Sequence, residues 1–357
     1  MRLCFLLLSL FAVSSVSGQI PCPADLTKIP GRVVVTPPKL KDPAALKNVR
    51  QAAALLEQSV KGFTGGEARI YTTEFKKADT ATGNYRMYEV SMYFLKYECV
   101  GGIVKPEAAT DLWVYFSFNR IPFFQGNNSV GYNLKNGQEM YYSKYSLGEK
   151  YKGFPMLTPL HHPNGKAVWI SEQARLPLRS VTRAEVLLVY RDVFFKNRDE
   201  TIQRIEASLA TEQRDLARID SSTDSPADKE RSRKALLDSN ANSRKFLGTV
   251  KTEKAACEAE IQAALAKQTA NEPAFVELVD SYCKPEKLFL DRTNPRAKAL
   301  MSFDDTFFDR TKPPSAAQFI VIYWRPDASG RFPIKREFSQ RFEEGFDLNA
   351  VRAMLGK

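Results

Sequence analysis

From Ile202 the apolar residues recur at Ile205, Leu209, Leu216 and Ile219, in alternating steps of three and four once Glu212, which stands where another apolar residue is expected, is counted. So narrow a stripe is the seam of a coiled coil, not the wider face of a globular helix. Leu236, Leu247, Val250, Cys257, Ile261 and Ala264 repeat the rhythm downstream, interrupted by Asn240, Ser243 and Lys254. Between the two stripes, Ser221 to Pro226 supplies turn chemistry, with Ser225 placed to cap and Pro226 at the first position of a return helix. Thr182 and Glu185 form a T-x-x-E capping box at the start. The pattern predicts an antiparallel helical hairpin over residues 180–267, an arm roughly 55–60 Å long at about 1.5 Å per residue. Its first turns, Val186 to Tyr190 and Val193 to Phe195, are apolar nearly all round and predict a buried base.

Elsewhere the period changes. Residues 44–60 carry Leu46, Val49, Ala53, Leu56 and Val60 on one helical face, opened by Pro43 and closed by Gly62 and Gly65-Gly66. Residues 70–75, 85–99, 112–118 and 140–145 are rich in aromatic and β-branched side chains, separated by turn-prone runs at 79–84, 126–131 and 135–138. Between Tyr85 and Phe154, 17 of 70 residues are aromatic, which places the core of a sheet there. Further strands are predicted at 33–35, 167–170 and 318–324, the last apolar on both faces and therefore central, and another at 331–338. Residues 274–282 read as a short helix, 289–314 as irregular, and 348–355 as a final helix capped by Asp347. Strands on both sides of the hairpin make it an insertion. The expected class is α+β: a mainly antiparallel, aromatic-rich sheet body, 19–179 and 268–357, with flanking helices and the arm inserted.

The N-terminal residues alter the picture. Met1-Arg2, an apolar run from Leu3 to Val13, and Ser14 to Gly18 have the three parts of a secretory signal peptide, residues 1–18, cleaved after Gly18. At about 11 residues the apolar run is too short to span a bilayer, and no later stretch qualifies. Four cysteines remain: Cys22, Cys99, Cys257 and Cys283. An even count in an exported chain favours two disulfides. If residues 274–282 fold back along the arm, Cys283 returns to the height of Cys257, leaving Cys22 to pair with Cys99. Net charge is +11 for the whole chain, and it is uneven. Residues 196–267 hold 14 basic against 13 acidic residues, so the excess lies on the body. A basic exported body suits an anionic envelope polymer, and nucleic acid is the least suited partner.

Catalytic signatures are sparse. The only histidines, His161 and His162, have no further ligands at metal spacing. No Gly-x-Ser-x-Gly occurs, Ser281-x-x-Lys284 lacks its companion motifs, and Gly62-x-x-Gly65-Gly66 lacks the lysine of a phosphate loop. Asn127-Asn128-Ser129 is a glycosylation acceptor triplet. Asp304, Asp305 and Asp309, set among aromatics, are the candidates for a carboxylate pair that would cleave a sugar bond. No cofactor is indicated. Two readings follow. The favoured one is a secreted or periplasmic, non-catalytic protein that binds or scaffolds at the cell envelope through its arm or basic body, engaging another envelope protein, an anionic polymer or a second copy of itself. The other is a hydrolase of an extracellular or envelope polymer that uses Asp304, Asp305 or Asp309.

Overall fold

The computed structural model describes residues 21–75, 85–121, 129–142, 146–158, 165–277, 283–325 and 332–357. The expected signal peptide, the His161-His162 pair, Ser281 and Asn127-Asn128 lie outside them.

The chain is mixed α+β. β1 (Arg32–Val35), α1 (Pro43–Ser59), β2 (Gly66–Phe75), β3 (Met87–Val100), β4 (Ile103–Pro106) and β5 (Trp113–Phe118) come first. They are followed by β6 (Ser129–Asn133), β7 (Glu139–Tyr142), β8 (Ser146–Tyr151), β9 (Phe154–Thr158), β10 (Lys166–Ser171) and β11 (Leu178–Ser180). The arm is α2 (Arg183–Leu209), α3 (Glu212–Ser221) and α4 (Pro226–Leu265). β12 (Phe275–Val276), α5 (Pro285–Leu288), β13 (Lys298–Phe303), β14 (Phe319–Trp324), α6 (Pro333–Gly345) and α7 (Leu348–Arg352) complete the body.

Two sheets form. The larger runs β1-β2-β3-β5-β14-β10-β9-β8 with β4 beside β3, and among the described residues only its β1–β2 pair is parallel. The smaller runs β11-β13-β7-β6, with β12 also on β13. β14 is central and buried along its whole length, as its two-sided apolar pattern requires.

Alternation along the strands sorts the core into layers. Val90, Met92, Phe94, Phe116, Phe118, Ile320 and Ile322 face α1, α6 and α7. From the opposite face, Trp169, Phe319 and Val321 meet Tyr141, Phe303 and Leu178 of the smaller sheet. The far face of that sheet, through Met140, Val276 and Leu300, receives the base of the arm. The lead-in is held by the Cys22–Cys99 disulfide and by Cys22 N–H donating to Gly102 O at 3.2 Å.

Four expectations need correction. In the expected strand at 331–338, residues 333–338 are helical instead: Pro333 opens helix α6, and Ile334, Phe338 and Phe342 recur every four residues on its inner side. Phe275–Val276 is a strand on β13, not part of a helix, because Val181 O accepts from Ala274 N–H at 2.8 Å and Ala274 O from Leu300 N–H at 3.0 Å. The stretch 289–314 contains β13, the middle of the smaller sheet, whose Lys-Ala-Leu-Met-Ser-Phe sequence has little intrinsic strand preference and is ordered by its neighbours. Of the expected 126–131 turn, the described residues Ser129 to Gly131 belong to β6. The first arm helix is also interrupted. Thr211 Oγ1 donates to Ser208 O at 2.9 Å, and α2 gives way to α3 across a bend.

Candidate functional site

The arm leaves the body at β11 and returns at β12, and the two feet are stitched together. Arg183 N–H donates to Glu272 O at 3.0 Å, beside the Thr182–Pro273 bridge. The capping box is complete, with Glu185 N–H donating to Thr182 Oγ1 at 3.2 Å and Thr182 N–H to Glu185 Oε2 at 2.9 Å. Arg179 clamps the same carboxylate at 2.7 and 3.0 Å. Burial pushes Glu185 upward, but the bonds from Arg179 and Thr182 outweigh it and hold its carboxyl below the ordinary value. Val186, Leu187, Val189, Tyr190 and Phe194 form the expected buried cuff with Cys257 and Ile261. Cys257 is disulfide-bonded to Cys283, their Cα atoms 5.8 Å apart.

Beyond the cuff the helices are zipped by charge. Arg198 pairs with Glu253 at 2.9 Å, Lys254 with Asp199 at 2.5 Å and Lys251 with Glu206 at 2.7 Å, while Arg244 pairs with Glu212 and Arg233 with Asp220. The partners progress in opposite directions along the chain, which fixes the helices as antiparallel. Each exposed pair contributes only about 0–1 kcal/mol, so the ladder sets register more than it supplies stability. The defects in the two stripes meet: Asn240, buried in the seam, donates from Nδ2 to Glu212 Oε2 at 2.9 Å. At the tip, Ser225 Oγ accepts from Asp228 N–H at 3.2 Å. The large apolar side chains left open on the arm are Leu237, 41 % exposed, and Phe246, 51 % exposed. The arm therefore presents a mixed-charge rod with two apolar anchors.

The three aspartates take local roles. Asp304 Oδ1 accepts from Thr306 N–H at 2.9 Å and Oγ1 at 2.6 Å, and its Oδ2 meets Arg175. Burial opposes its ionisation, but Thr306 and Arg175 prevail and hold it below the usual aspartate range. Asp305 is exposed at the start of a short 3-10 turn. Asp309 Oδ1 accepts from Thr311 N–H at 3.0 Å and Oγ1 at 2.6 Å, bonds that lower its pKa. Among the described residues, no hydrogen bond joins any two of them.

A different acid is the buried one. Glu89, on the face of β3 turned away from α1, accepts from Ser117 Oγ at 2.6 Å and Arg120 Nη1 at 2.7 Å. Desolvation raises its pKa against the pull of Arg120 and Ser117. Arg120 in turn lies 3.9 Å from the Phe75 ring centroid. The same face holds Tyr71, Tyr93 and Tyr115, with successive ring centroids 5.8 and 6.2 Å apart. β3 carries two acids, Glu89 and Glu98, and nothing in their spacing sets the buried one apart.

No family model matches the chain, and neither a curated protein nor a solved structure matches it. Among the described residues, no helix is long and apolar enough to cross a membrane.

Proposed function

We propose that this chain is a non-catalytic binding or scaffolding protein, secreted or periplasmic, that engages another macromolecule at the cell envelope through its arm. One observation carries the reading. Between residues 196 and 256 the arm buries only Asn240 and Val250. Most of its length therefore adds little to the hydrophobic core, while ordering it costs about 1–2 kcal/mol of backbone entropy per residue. An element of this size that the core does not require serves best as a surface for something else. Phe246 is the kind of aromatic side chain enriched at interface centres, and the near-neutral charge of the arm as a whole favours a protein partner over a polyanion. The partner is another envelope protein or a second copy of the chain. The basic body is the part suited to an anionic envelope polymer. The leader-like residues 1–18 and the two disulfides support export to an oxidising compartment.

The test is affinity capture from envelope extract, run beside sedimentation equilibrium, for the native chain and for Leu237→Ser/Phe246→Ser. A captured protein or a dimer that disappears in the variant, with helical circular dichroism unchanged, is the expected result. A monomer that captures the same proteins with and without the two substitutions would overturn the reading.

A further inference from the structure

α4 turns one side to α2 and α3 through Leu236, Asn240, Leu247 and Val250, none of them exposed. Its opposite side is open from tip to foot: Asp238, Asn242, Lys245, Thr252, Ala256 and Ala263 are all exposed. At about 3.6 residues per turn, Leu237 and Phe246 lie half a turn apart round the helix and form the two shoulders of this open side. Arg233 and Arg244 are paired across the hairpin with Asp220 and Glu212. Among the described residues, neither Asp238 nor Lys245 is in an ion pair, and Lys234, one turn from Asp238, does not reach it.

These positions share one midpoint. Leu237 and Phe246, and likewise Asp238 and Lys245, are spaced evenly about the junction of Ala241 and Asn242. A two-fold axis at that junction, with a second α4 running antiparallel, sets Lys245 level with Asp238 of the other copy, twice over. Phe246 comes level with the gap between Ala235 and Ser239 of the other copy, on the same shoulder. Leu237 comes level with the gap between Arg244 and Gly248 of the other copy. Gly248 weakens a helix interior. Among the described residues, nothing beyond its own helical turn lies within 4 Å of where a Cβ would stand, so no packing within the copy requires a glycine there. Close approach of another chain does.

We infer that the arm's partner is a second copy of this chain, joined through the open side of α4 in this antiparallel register. The inference rests on the arm being the binding element and narrows its partner to self. A two-fold contact must use the same patch on both copies, so its charges and anchors have to be symmetric about one point. A different protein imposes no such spacing.

Sedimentation equilibrium of the full, disulfide-bonded chain at micromolar concentration tests this, and a dimer is expected. Asp238→Lys and Lys245→Asp each set like charges opposite one another and weaken the dimer at least about tenfold. Asp238→Lys/Lys245→Asp returns the pairs with their signs exchanged and restores affinity to within about threefold. A dimer indifferent to the single reversals, or a double variant no tighter than the single ones, would overturn the register. A monomer would overturn self-association; if its arm still captured an envelope protein that Leu237→Ser/Phe246→Ser lost, the arm's binding role would stand without it.

Discussion

Glu89 and Asp304 are both carboxylates beside an arginine, yet their proton affinities move in opposite directions. Burial dominates at Glu89, so its folded pKa lies above the ordinary value of 4.5. The folded state then holds the proton more tightly than the unfolded chain, and stability falls as pH rises from about 4.5 through the raised value, levelling above it. Glu89→Gln flattens that decline in denaturation midpoints measured from about pH 4 to about pH 8. Asp304 is the reverse case: Thr306 and Arg175 overcome its burial and hold it below 3.8. Its contribution is present above that value and is lost as pH falls through the lower folded one. Asp304→Ala costs about 1–2 kcal/mol at neutral pH by urea unfolding. The caps at Thr182, Ser225 and Asp347 were legible because their partners sit two or three residues away. Glu89 was not, because its burial is made by strands that meet only in the folded sheet.

At the scale of elements, the arm was legible and its bend was not. A repeated three-four spacing needs no knowledge of the rest of the molecule, whereas the break at Thr211 depends on side chains competing for backbone carbonyls. The smaller sheet was the harder part. β13 owes its conformation to β11, β12 and β7 more than to its own residues. The Cys257–Cys283 pairing was expected from a fold-back helix, but β12 brings the chain back instead. The seam pair is directly testable. Asn240→Leu alone strips Glu212 of a donor and costs about 1–2 kcal/mol, while Asn240→Leu/Glu212→Leu restores or exceeds native stability, as read by thermal melts at 222 nm. Replacing Cys257 and Cys283 by alanine removes a cross-link spanning 26 residues and lowers stability by about 3.5 kcal/mol in the chain-entropy account. Hydrogen exchange in that variant quickens first around Val186 and Ile261, where the cuff packs.

For the molecule as a whole, the layers run from α1, α6 and α7 through the large sheet and the small sheet to the base of the arm. The α+β class follows from residue patterns because strands and helices differ in period. The stacking order does not, since it depends on which faces of separate sheets meet. Function was less legible still. A binding surface has no required residue spacing, and nothing in the pattern around Leu237 and Phe246 marks them in advance as the side chains left open. Placing the excess positive charge on the body implies that polyanion binding weakens with added salt while an arm-bound protein partner is less affected. The central claim is that the arm is the part that engages a partner. Site-specific photo-crosslinking in the native envelope tests it most directly, with the probe placed in turn at Phe246 and at Val100, both about half exposed. A discrete adduct from Phe246 and none from Val100 is the predicted result. No adduct from Phe246, or the same adduct from both positions, would contradict it.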